Sequence, residues 1–331
     1  MPNAFTTLVG IEIPIVQAAM GGATSPQFAA AVSNAGGLGM LALGWSPPEA
    51  VRAEIRATKA LTERPFGVNL VLTYPQEERL AICLEEGVSV VSFFWGQAGS
   101  LTAAAHRGGA KVLHTAGSAE QARISTEDGA DAIVAQGWEA GGHVYGRVAT
   151  MALVPAVVDQ IAPVPVLAAG GIADGRGLAA AMALGAAGAW IGTRFLASIE
   201  APIHARYRDR ILSAKETDTE YGTVFDVGWP DAPHRSLRNK TIEAWEAAGR
   251  PPAGGRPNEG AVVAKSPYGD VVAYQSHTPG SGDEGDIDAL ALWSGQGVSL
   301  VRHVQPAAEI VREISDEART ILARLGNDPS F

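Results

Sequence analysis

Cysteine is all but missing. Cys83 stands alone among 331 residues, so no intrachain disulfide and no cysteine-rich zinc site can form. Long apolar runs are missing too. No stretch approaches the ~18–20 uninterrupted apolar residues of a membrane span, and Met1–Val9 lacks the basic start of a secretory signal. Both absences point to a cytoplasmic protein, in which the sequon Asn239-Lys240-Thr241 carries no meaning. Positive charge is in deficit, with 25 Lys and Arg against 35 Asp and Glu for a net −10. That balance repels a phosphate backbone, and no local basic stripe offsets it, so nucleic acid is not expected as a partner. No His-Glu-x-x-His spacing suggests a metal site, no Gly-x-Ser-x-Gly elbow a serine hydrolase, and no Gly-x-Gly-x-x-Gly a dinucleotide fold.

What is present is apolar and periodic. Hydrophobic residues make up 47% of the chain, enough for a large core. Short aliphatic runs begin near Ile13, Leu38, Phe66, Val88, Lys111, Ala132, Pro165 and Ala189. Each is followed by an Ala-rich stretch of helical period, as successive βα units require. Eight such units predict a closed α/β architecture, the (β/α)8 TIM barrel, with an open doubly wound sheet as the competitor. Local signals agree. Ser25-Pro26 reads as an N-cap with Pro at the first helical position, and Gly36-Gly37 closes that helix. Ser46-Pro47 reads as a second start, and Asp174 as a third.

A barrel of ~250 residues leaves roughly 80 over, and the rhythm shows where they lie. After Leu212 it fails. Pro251–Ile287 holds 12 Gly or Pro in 37 residues, the mark of turns and an irregular lobe. Within 213–287 the expected elements are a helix over Thr241–Ala248 and strands over Ala261–Ala264 and Val271–Tyr274. Regular structure returns with a helix over Glu309–Leu325, ended by Gly326. The predicted organisation is a barrel of 1–212 plus 288–331, with a smaller lobe, 213–287, inserted before the last helix.

Function in such a barrel collects in the loops after the strands, where the unusual residues lie. Met20-Gly21-Gly22 follows strand one, Asn69 strand three and Thr115 strand five. Gly137–His143 follows strand six, Ala169-Gly170-Gly171 strand seven and Gly192-Thr193 strand eight. Glycines after strands seven and eight let backbone N–H groups approach a phosphate; the plainer reading of Gly170-Gly171 is a tight turn. His143 sits among glycines rather than on a packed face, and an imidazole near pKa ~6.5 suits proton abstraction. A merely solvated histidine is the alternative. Glu139, four residues earlier, is a candidate to orient it, against the plainer role of a salt-bridged carboxylate. Trp138 and Trp293 are candidates to wall a pocket.

Six stretches in order resemble the nitronate monooxygenase family: Pro14–Met20, Ser33–Gly39, Pro65–Leu70, Gln136–His143, Ala169–Gly177 and Gly192–Phe195. Trp293–Gly297 is similar to that family's late motif. The resemblance implies an FMN-dependent TIM-barrel enzyme, related to flavin-dependent enoyl reductases, that oxidises nitronates or nitroalkanes with O2 to a carbonyl compound and nitrite. It implies flavin contacts at Ala19, Met20, Gly21 and Asn69, with Thr115 and Gly141 nearby. Ala169, Gly170, Gly171, Gly192 and Thr193 would hold the phosphate, and His143 would take the α-proton of a neutral nitroalkane. No metal is implied. Two other functions remain open: an FMN enzyme that takes electrons from NAD(P)H to reduce a quinone or enoyl thioester, and a non-catalytic barrel binding a phosphorylated ligand. The expected partners are a small-molecule substrate and O2, and a homodimer stays open.

Overall fold

The computed structural model describes residues 3–327. Its strands are β1 Ile15–Gln17, β2 Gly39–Ala42, β3 Phe66–Val71, β4 Val90–Phe94, β5 Lys111–Ala116, β6 Ala132–Gln136, β7 Gly142–His143, β8 Val166–Ala169, β9 Gly188–Ile191, β10 Thr219–Gly222, β11 His234–Leu237, β12 Val262–Ser266, β13 Gly269–Val272 and β14 Glu284–Gly285. Eight of them form one parallel sheet in the order β1-β9-β8-β6-β5-β4-β3-β2. Its two edges meet where Val16 bridges Leu38. Gln17 N donates to Leu38 O at 3.0 Å and Leu38 N to Ile15 O at 2.9 Å. The buried Gln17 side chain reinforces this seam, its Oε1 accepting from Met40 N at 3.0 Å. The expected (β/α)8 barrel is therefore the fold.

The strands are apolar because both of their faces are covered. Outward residues such as Leu41, Val68 and Val91 pack under helices, while Val16, Met40, Val90, Leu113, Val134 and Leu167 fill the interior. Phe5, Val9 and Ile11 join that interior cluster. Phe5 and Val9 come from the helix Ala4–Val9 and Ile11 from just beyond its end; the helix's cap Asn3 donates through Nδ2 to Ala187 O at 2.7 Å. Ala187 directly precedes β9, so this helix plugs the N-terminal end of the barrel. The mouth at the opposite end remains free for chemistry.

Two of the three expected helix caps are found. Ser25 Oγ accepts from Phe28 N at 3.2 Å, and Asp174 accepts from Arg176 N and Gly177 N at 3.0 and 3.2 Å. Ser46 does not cap. Its helix begins at Pro48, with Pro47 at the cap position and no side-chain bond, and the Ser46 carbonyl serves Arg79 instead. The final helix, Ala307–Gly326, runs through Gly326 to a C-cap at Asn327. It completes the wall by packing with the helices Pro26–Asn34 and Gly175–Ala183 in one apolar cluster. Glu317 accepts there from Gly175 N at 2.7 Å.

In 213–287 the helix is Lys240–Ala247, capped by Asn239, whose side chain accepts from Ile242 N at 3.1 Å. The two expected strands appear slightly shifted, as the β12–β13 hairpin. A further sheet has the order β10-β11-β7, so a strand of the lobe pairs with the loop that follows β6. No described helix is long and apolar enough to cross a membrane.

Because Phe5 is wholly buried in the plug, Phe5→Ala should lower the unfolding free energy by about 3–5 kcal/mol. Urea titration measures this; a loss below 1 kcal/mol would show that the helix does not support the barrel.

Candidate active site

Glycine brings three loops of the mouth into backbone contact. A Cβ at Gly141 would fall on the backbone of Gly295, and one at Gly137 on the Thr150 side chain. One at Gly297 would lie 2.9 Å from Gly171 O. Gly170 and Gly171 take φ of 105° and 73°, the left-handed region that side chains rarely enter. Cross-links complete the cradle: Gly295 N donates to Thr193 Oγ1 at 3.0 Å, and Gln296 N to Glu139 O at 2.9 Å. The late Trp293–Gly297 stretch thus joins the loops after β6, β8 and β9.

The other predicted cofactor residues ring the same end. A Cβ on Gly192 would lie 3.6 Å from Ala18 Cβ and 3.7 Å from Met20 Sδ, which places the loops after β1 and β9 side by side. Gly21 lies against Trp45. Asn69 lies within β3 rather than after it, buried, its Nδ2 donating to Ser92 Oγ at 2.8 Å. Thr115 is buried on β5, in register with Val134. Ala19 and Trp190 cap the interior cluster but are only half-buried. An open cradle of main-chain groups beside apolar side chains that a flat ring would cover fits a phosphate-bearing aromatic cofactor.

His143 belongs to β7, opposite His234 of β11 in an antiparallel pair. The Gln136 amide grips both sides of it: Nε2 donates to His143 O at 3.0 Å and Oε1 accepts from Tyr145 N at 2.9 Å. The imidazole stands in an aromatic box. Its centroid is 3.9 Å from that of Trp229, 5.3 Å from Trp293, 5.6 Å from His234 and 5.9 Å from Trp95. Trp95 holds a left-handed φ of 66°, a strained state for a bulky residue and one that concentrates at functional sites. His143 as a residue is half-buried, but its Nε2 is sealed and has no partner. Burial, and after it the neighbouring His234, hold its pKa well below the ordinary imidazole value, so the ring is a neutral base at pH 7.

The remaining candidates fall into place around it. His234 bonds Ala232 O through Nδ1 at 3.0 Å and accepts Phe225 N–H on Nε2 at 3.1 Å. Burial pushes its pKa down to about 4. Glu139 does not orient His143. Its carboxylate caps the helix Thr150–Ile161, accepting from Thr150 N at 2.9 Å and Thr150 Oγ1 at 3.1 Å. Trp293 walls the box as expected, whereas Trp138 turns to Arg235, whose guanidinium lies 4.5 Å over its ring. Arg235 is buried, and it donates to Trp138 O at 3.1 Å and to Thr219 Oγ1 at 3.3 Å. Sequence reasoning missed the roles of Trp95, Trp229, His234 and Arg235, which meet His143 or its loop only through contacts between distant segments, and that of Gln136, which ends β6 seven residues before His143. Among the described residues no cluster of His, Cys, Asp and Glu could hold a metal.

The nitronate monooxygenase family model matches residues 3–78 and 73–317. A nitronate monooxygenase of Pseudomonas aeruginosa is 34% identical, over 96% of this chain and 100% of the relative. A Mycobacterium tuberculosis (3aS,4S,5R,7aS)-5-hydroxy-7a-methyl-1-oxo-octahydro-1H-indene-4-carboxyl-CoA dehydrogenase is 41% identical, over 74% of this chain and 68% of its own. Among solved structures, FabK from Thermotoga maritima superposes with a TM-score of 0.83 at 34% identity, covering 98% of both chains. A nitroalkane oxidase from Streptomyces ansochromogenes gives 0.80 at 30%, covering 98% of this chain and 100% of that one.

The depressed imidazole pKa values have a thermodynamic consequence. Below about pH 6.5 the unfolded chain protonates these rings while the folded one does not, so stability falls with falling pH by up to ~1.4 kcal/mol per unit per ring. Urea unfolding at pH 7.5 and pH 5 should show this loss, and His234→Gln should make it smaller. An equal loss in the variant would contradict the assignment.

Proposed function

Since the chain belongs to the nitronate monooxygenase family, whose members are flavin-dependent oxidoreductases, we propose that it uses FMN and O2 to oxidise alkyl nitronates and nitroalkanes to a carbonyl compound and nitrite. The observation that carries this reading is the imidazole of His143: neutral, unpartnered at Nε2 and enclosed by aromatic rings at the barrel mouth. Such a group accepts a proton from a carbon acid without first having to lose one.

The roles follow from position. Ala19, Met20, Gly21 and Asn69 would meet the isoalloxazine, with Thr115 and Gly141 beside it. Ala169, Gly170, Gly171, Gly192 and Thr193 would cradle the phosphate. When bound, the flavin supplies the acceptor for the substrate's electrons and passes them to O2. The protein's own part is to hold the substrate's α-carbon at His143, take the α-proton on Nε2 and exclude water with the ring of tryptophans. An anionic nitronate has already lost that proton and needs no base. We read 213–287 as the substrate-side lobe on the barrel of 1–212 plus 288–331, because Trp229 and His234 reach the base from it.

His143→Asn should lower kcat/KM for nitroethane on the order of 10²–10⁴-fold, change turnover of ethyl nitronate by less than about tenfold, and leave flavin content intact. The flavin released on heating should chromatograph as FMN. For the unmodified enzyme, kcat/KM with nitroethane should keep its acid limb below pH 6.5. Unchanged nitroethane turnover in the variant would remove His143 from the reaction.

A further inference from the structure

Two buried nitrogens in the aromatic box have no hydrogen-bond partner, Nε2 of His143 and Nε1 of Trp229. Their rings overlap, centroids 3.9 Å apart with 30° between the planes. In that stacking the in-plane indole N–H and the imidazole Nε2 run side by side, so neither ring satisfies the other. Buried groups left unpaired are costly, and in a native fold they mark a functional role or a missing partner.

Trp229 is buried between the base and a surface groove. It comes from the lobe, next to Gly228 at φ 94° and two residues before Asp231 at φ 55°. The Tyr74 hydroxyl donates to Gly228 O at 2.8 Å, and Trp45 packs edge-on against Trp229 at 5.4 Å. Tyr74 and Trp45 also line an open groove of about 520 Å³, together with Glu77, Glu78 and Arg79. Trp229 thus has a wall of the groove on one side and the base on the other.

We propose that Trp229 is a substrate-binding residue: its indole N–H and His143 Nε2 form a two-point receptor for a compact, uncharged nitro compound entering from that groove. The inference rests on the nitroalkane reading above. As the α-C–H bond breaks, its proton passes to His143 Nε2. The electron pair becomes the C=N bond of the nitronate, and negative charge moves onto the nitro oxygens. A fixed N–H directed at such an oxygen acts where charge grows, which is where a donor accelerates a reaction most. Both nitrogens are shielded in the closed arrangement, so the indole turns on substrate entry, with Gly228 supplying the backbone freedom.

Trp229→Phe keeps the ring and removes the N–H. In the flavin-loaded enzyme it should lower kcat for nitroethane on the order of a hundredfold and raise KM for ethyl nitronate. It should also enlarge the kinetic isotope effect with nitroethane deuterated at the α-carbon, which a merely structural role would not do. A second readout needs no turnover. With 15N-labelled indoles, the Trp229 cross-peak, identified by its loss in the variant, should shift downfield on adding 2-methyl-2-nitropropane, which has no α-proton. Rates and isotope effect unchanged in the variant, with an unmoved cross-peak, would overturn the proposal. If the unmodified enzyme does not turn over nitro compounds yet the cross-peak shifts, the receptor stands and the reaction assigned above falls.

Discussion

Two residue pairs of backbone, His143 with His234 and Gly142 with Arg235, join the loop after β6 to the lobe. Loops at a barrel mouth are ordinarily its most mobile parts, and a base must be held to a fraction of an ångström to work. This pairing supplies the missing rigidity. Val144 N extends it by donating to Pro233 O at 2.8 Å, and Gln136 clamps the loop from the barrel side. β11 is braced in turn, with β10 on one side and Leu237 N donating to Leu292 O at 2.7 Å. Residues 219–237 and the loop after β6 therefore share one piece of sheet.

The same contact sets the electrostatics of the site. Pairing with β11 brings His234 opposite His143, and the lobe's Trp229 lies over the imidazole. Enclosure by aromatic rings makes the protonated form expensive and keeps the ring uncharged. His234, by contrast, has both of its nitrogens engaged by the backbone. The site gives up stability in return: two nitrogens unpaired, Trp95 in a left-handed conformation and imidazoles that resist protonation on folding. Such local costs are tolerated where the surrounding fold overdetermines the geometry.

How much of this can be read from the chain alone depends on how local the signal is. The eight barrel strands are legible because each βα unit repeats an apolar run and a helical period within about 30 residues, and the helix caps at Ser25 and Asp174 lie beside the helices they start. The ring of glycines is legible because a glycine after a strand has a specific backbone use. The partner of His143 is not. β7 is two residues long, β11 reads His-Arg-Ser-Leu without alternation, and nothing near either one announces the other. Ser46 misled for a related reason: it precedes Pro47-Pro48, and the second proline, not the serine, begins the helix. Glu139 lies near His143 in sequence, yet its carboxylate is taken by Thr150.

Hydrogen exchange at the Val144 amide of the flavin-loaded protein tests the central claim most directly, since that N–H closes the β7–β11 pairing against Pro233. If the lobe's sheet holds the base, Val144 exchanges as slowly as the barrel amides of β6, and Arg235→Met, which removes the brace between β11 and the Trp138 carbonyl, speeds its exchange while those of β6 stay protected. Exchange of Val144 as fast as that of Tyr268 at the exposed hairpin tip would contradict the account.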